Sequence, residues 1–85
     1  MRREIHWKNK REDGTFYEVR VSFFGGKYKF QFREDIDERW DYDRRPSRDD
    51  LAMLLDIVQR RFQRRQAGPK ELKEAQRLLR EFDSP

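Results

Sequence analysis

Cysteine is absent from the chain. Its absence excludes disulfides, thiolate chemistry and sulfur-ligated metals. Histidine occurs once, at His6. No apolar run approaches the ~18–20 residues needed to span a bilayer, so no membrane partner is expected. The opening Met1-Arg2-Arg3-Glu4-Ile5-His6-Trp7 lacks the apolar core of a signal peptide, and a cytoplasmic location is the expectation. Apolar residues are themselves scarce, at 34%, while charged residues reach 45%. Usual values are ~45–50%, with glycine counted too, and ~25%. Leu, Ile, Val and Phe make up 19 of 85 residues, or 22%. Below ~20%, a highly charged chain is usually disordered. Here 21 cations face 17 anions, for a net charge of only +4. The few apolar residues are also strongly periodic, as in a folded chain with a lean core. Residues 1–85 are read as one domain, short enough to bury only ~60–65% of its unfolded surface.

What is present divides by charge. Residues 1–33 carry +5, residues 34–50 carry −4, and residues 51–85 carry +3. Strands are expected over 3–11, 15–24 and 27–33, an acidic connection over 34–46, and helices over 47–66 and 69–82. The fold class is α+β: a three-stranded antiparallel meander with two C-terminal helices packed on one face.

Phe24-Gly25-Gly26-Lys27 reads as a hairpin closed by a two-residue turn, because both central residues must take positive φ. That turn sets Phe23 opposite Tyr28, Val21 opposite Phe30 and Val19 opposite Phe32, all on one face. The other face then pairs Ser22 with Lys29, Arg20 with Gln31 and Glu18 with Arg33. A three-residue loop, Glu12-Asp13-Gly14, brings Trp7 opposite Val19 and Ile5 opposite Val21.

Ser47 is the expected N-cap of the first helix, with Asp50 completing a capping box. Leu51, Leu54, Leu55, Val58 and Phe62 form its apolar stripe. Gly68 is expected to end that helix, and Pro69 to begin the next. Leu72, Ala75, Leu79 and Phe82 form the second stripe.

Catalytic chemistry finds little purchase. His6 falls on the solvent face of the first strand, with no fixed carboxylate evident beside it. Segment 34–43 holds six acids, but it has no glycine for a calcium loop. Its apolar members Ile36, Trp40 and Tyr42 are expected to fold back onto the core edge. Gly25-Gly26-Lys27 leads into a strand, which a phosphate loop does not. No serine triad, dinucleotide fingerprint or zincin helix occurs. The chain is therefore read as a non-enzymatic binding module, with no cofactor and no metal.

The outer sheet face combines Lys8, Lys10, Arg20, Lys27, Lys29 and Arg33 with Phe16 and Phe24. Cations hold phosphates and aromatic rings stack bases, so nucleic acid is the first partner expected there. Arg60, Arg61 and Arg64 form a second basic cluster on the same reading. Arg outnumbers Lys 15 to 6, which suits forked contacts to phosphate. The alternative is a protein partner docking on Asp37, Glu38, Trp40, Asp41 and Tyr42, or on the exposed phenylalanines.

Overall fold

A computed structural model describes residues 4–34 and 39–84. It has three strands, β1 (Glu4–Lys10), β2 (Phe16–Phe24) and β3 (Lys27–Glu34), followed by helices α1 (Arg48–Gln63) and α2 (Pro69–Asp83). The strands form one antiparallel sheet in the order β1-β2-β3. No helix is long and apolar enough to cross a membrane among the described residues.

The turn chemistry explains the register. Gly25 and Gly26 take φ of 62° and 79°. Both values are positive, as the two-residue turn requires. Phe23 then pairs with Tyr28, Val21 with Phe30, Val19 with Phe32 and Glu18 with Arg33. In the β1–β2 loop, Gly14 sits at φ 92°. Its N–H donates to the Arg11 carbonyl at 3.0 Å, and the Arg11 N–H donates to the Thr15 carbonyl at 2.7 Å. This three-residue loop sets Ile5 opposite Val21 and Trp7 opposite Val19.

Alternation places Ile5, Val19, Val21 and Phe32 on the inner face, where they are buried with Leu54, Val58, Ala67 and Ala75. The core is narrower than the apolar pattern predicts. Phe23, Tyr28 and Phe30 are only half-buried, as are Leu72 and Leu79. The ends of both helical stripes are exposed, with Phe62 at 40% and Phe82 at 52%. A helix stripe continues by periodicity whether or not anything lies opposite it. The apolar cluster instead takes in Ala67 from the link and Leu78 of α2.

Ser47 caps α1 in a complete capping box with Asp50. Gly68 does not end this helix. It is the N-cap of α2, in extended geometry, with Pro69 as the first helical residue. The left-handed position falls on Arg65, at φ 60°. The Arg65 N–H donates to the Phe62 carbonyl at 3.0 Å, and the Gln66 N–H to the Arg61 carbonyl at 2.6 Å. This is the six-to-one and five-to-two pairing of a Schellman ending, which can form around a non-glycine residue at a steric cost. Arg48 of α1 bonds Asp83 of α2 at 2.8 Å, so the start of one helix lies by the end of the other. Tyr28 donates its hydroxyl to the Glu71 carbonyl at 2.9 Å, tying the β2–β3 hairpin to α2.

Two stability outcomes follow from this packing. Phe32→Ala should cost ~3–5 kcal/mol, and half-buried Phe30→Ala less. Arg65→Gly should raise stability by ~0.5–1 kcal/mol, by relieving the left-handed side chain. Urea midpoints of the three variants check both expectations, and an Arg65→Gly midpoint below wild type contradicts the second.

Candidate functional site

The outer face is built by the residues that alternate with the core. Across β1 and β2 it pairs His6 with Arg20, Lys8 with Glu18 and Lys10 with Phe16. Across β2 and β3 it pairs Glu18 with Arg33, Arg20 with Gln31, Ser22 with Lys29 and Phe24 with Lys27. The expected basic residues of the sheet thus lie on one side, together with Phe16 and Phe24.

They are not equally available. Glu18 is a buried acid at the centre of the face, 9% exposed. Arg33 donates to its Oε1 at 2.9 Å, and Lys8 Nζ lies 3.6 Å from the same oxygen. His6 Nε2 is 3.1 Å from Oε2. His6 therefore does have a carboxylate partner, contrary to the sequence reading. It reaches Glu18 diagonally, as the next residue along the same face of β2. The hydrogen bonds from Arg33 and His6 hold the Glu18 carboxyl below its ordinary pKa.

Trp40 covers this cluster. Its ring lies 4.3 Å from the Arg20 guanidinium and 5.0 Å from that of Arg33, with the His6 ring edge-on at 6.3 Å. The expectation that Trp40 folds onto the core edge is overturned, since it lies on the opposite side of the sheet. The cause is one added bridge at the free edge of β3. Phe32 and Asp41 exchange two backbone hydrogen bonds, of 3.0 and 2.6 Å. Asp41 is thereby in register with an inward residue, and alternation sends Trp40 outward. Tyr42 also leaves the core, at 66% exposed. Ile36, Asp37 and Glu38 lie outside the described residues.

The two ends of the face are more open. At one end, Lys10 lies 5.8 Å from the ring centroid of Phe16, which is 41% exposed. At the other, Phe24 is 74% exposed, opposite Lys27 and diagonal to Lys29, both of them exposed. Ser22, Phe23, Phe24, Lys29 and Gln31 line a shallow depression of about 290 Å³ there. Lys10 and Lys29 have no ion-pair partner among the described residues, whereas the charge of Lys27 helps to hold the Glu74 carboxyl of α2 below its ordinary pKa. Arg20 donates to the Gln31 amide oxygen at 2.6 Å, a neutral partner that leaves its charge intact.

Arg60, Arg61 and Arg64 belong to the helix layer and not to this face. Arg60 pairs with Asp56 at 3.0 Å, and Arg64 is the C-cap of α1. Arg61 approaches the Tyr28 side chain from the helix side and opposes the upward push that burial gives the tyrosine hydroxyl. No group of three or more His, Asp or Glu could hold a metal ion among the described residues.

A polar junction under the sheet escaped the sequence reading. Tyr17 donates to the buried Asp50 Oδ1 at 2.9 Å, and Asn9 Nδ2 lies 3.4 Å from the same oxygen. The Ser47 N–H and hydroxyl meet Oδ2 at 2.9 and 3.0 Å. The available signal was Asn9, a polar residue at an inward position of β1.

The Glu18 cluster has a definite pH dependence. A carboxyl with a depressed folded pKa stabilises the fold fully above its unfolded value, near 4.5, and loses that contribution as pH falls through the lower folded value. Glu18→Gln should therefore lower the urea midpoint at pH 7 and lower it progressively less below pH 4.5. An effect that grows as pH falls below 4.5 contradicts this assignment.

Comparison with known proteins yields no match. No family model matches the chain, and neither a curated protein nor a solved structure matches it significantly.

Proposed function

We propose that the protein is a non-enzymatic binding module that takes nucleic acid on the outer face of its sheet. One observation carries the reading: Phe24, 74% exposed, lies across from Lys27 and diagonal to Lys29, and it lines a depression together with Lys29. An exposed aromatic ring among cations offers stacking and phosphate contact together. The central acid of the face is already engaged by His6, Lys8 and Arg33, so its repulsion of phosphate is locally offset. His6 faces that same acid and the edge of Trp40, neither of which is a nucleophile awaiting a base. A cytoplasmic location belongs to the same proposal.

The exposure of Tyr42 beside Asp41 and Asp43 favours a second reading, in which a basic protein docks on the connection. Salt dependence combined with lysine substitution separates the two, because only the first reading uses the lysines of the sheet face. Binding to nucleic acid should weaken steeply from ~50 to ~200 mM salt, with each lost phosphate contact lowering the log–log slope by about 0.7–0.9. Lys10→Ala with Lys29→Ala should flatten that slope by roughly 1.4–1.8 where both lysines contact phosphate. Stability should change by less than ~0.5 kcal/mol, because both side chains are exposed. An unchanged slope in this double variant rules out phosphate contact by Lys10 and Lys29.

A further inference from the structure

The aromatic rings of the outer face are not scattered. Phe16 and Phe24 stand at the two ends of β2, and Trp40 lies over Arg20, midway between them in sequence. Arg20 is four positions from each phenylalanine. At ~3.3 Å per residue, each interval is about 13 Å and the whole line about 26 Å. Each ring has a cation beside it: Lys10 at Phe16, Arg20 and Arg33 at Trp40, and Lys27 with Lys29 at Phe24.

We propose that β2 carries a track for single-stranded nucleic acid, with unpaired bases stacking on Phe16, Trp40 and Phe24 while the neighbouring cations hold the backbone. The proposal rests on the nucleic-acid reading above and specifies which form is bound. Exposed rings gain little from a duplex, whose bases already stack on one another, whereas a single strand presents free π-faces. The charge pattern fits as well, because a cation beside each ring tracks a phosphate chain that runs along the line. Trp40 is a half-buried platform, with two guanidinium groups against its ring. A line of about 26 Å matches roughly eight nucleotides at the ~3.4 Å spacing of stacked bases, and fewer when the bases are splayed.

The test uses labelled dT8, rU8 and a mixed-sequence duplex of twelve base pairs, with anisotropy read at 50 mM salt for wild type, Phe24→Ala, Phe24→Trp and Lys29→Ala. Phe24 is exposed, so its variants should fold as wild type does. The track predicts that one or both single strands bind more tightly than the duplex. Phe24→Ala should weaken single-strand binding by about 5- to 140-fold, the loss of ~1–3 kcal/mol for one stacked base. It should leave duplex binding within about twofold, and Phe24→Trp should restore the single-strand affinity. Lys29→Ala should weaken both forms. Intrinsic fluorescence gives an independent readout: Trp7 is on the inner face, so quenching by dT8 or rU8 that Trp40→Phe abolishes places a base on the indole. Duplex preference, or equal losses on both forms in Phe24→Ala, overturns the track and leaves the nucleic-acid reading standing. No binding of any probe overturns both. Unequal affinities for dT8 and rU8, with the Phe24→Ala loss confined to single strands, support the track and identify which sugar it takes.

Discussion

The turn at Gly25-Gly26 decides which side of the sheet every residue of β2 and β3 faces. Positive φ at both positions reverses the chain in two residues, and the pairing runs outward from there in a single register. Val19, Val21 and Phe32 share one face, while Glu18, Arg20 and Arg33 share the other. A slip of one residue would exchange the two sets. A chain with 34% apolar residues has nothing in reserve to rebuild a core from the exchanged set. β1 takes its register from β2, and the helices have an apolar face to cover only if this turn is correct. The core and the outer face are thus consequences of one local constraint.

Glu18 shows what that constraint implies for charge. Alternation forces an acid onto the middle strand, where neighbours on both sides remove it from water. A buried carboxylate is tolerable only when charged and hydrogen-bonding partners surround it. His6, Lys8 and Arg33 supply them, one or more from each flanking strand. The centre of the face becomes an organised ion cluster beside Trp40, while Lys10 and Lys29 at its ends have no ion-pair partner among the described residues. Equal basicity in the sequence therefore corresponds to unequal availability in space.

Local signals were legible in the sequence, and contacts that depend on distant residues were not. The hairpin register follows from two glycines and the alternation around them. The capping box follows from Ser47 and Asp50, three residues apart. The position of Trp40 follows from neither composition nor periodicity. It depends on the single backbone bridge between Asp41 and Phe32, and a one-residue bridge has no periodic pattern to announce it. The exposure of Phe62 has a similar origin: the helical period persists in the sequence after the opposing surface has ended. Gly68 misled for another reason. Gly-Pro serves as both a stop and a start signal, and here only the start is used, while Arg65 accepts the left-handed turn.

The lean core sharpens the meaning of Phe24. Phe16, Phe24, Phe62 and Phe82, four of the chain's seven phenylalanines, are exposed. Phe62 and Phe82 continue helical stripes, so their presence has a packing explanation even where the packing is incomplete. Phe24 has no such explanation. The turn beside it needs glycines at 25 and 26 and places no demand on the residue before them. Its ring faces away from the core, and its backbone pairing with Lys27 would survive a polar side chain. A folded domain gains nothing in stability from an apolar ring held in water, and the ring promotes unwanted association. On the proposed reading, a contact made in the complex offsets that cost. The core holds the sheet through Val19, Val21 and Phe32, so Phe24 and Lys29 are open to selection for a partner without loss of the fold.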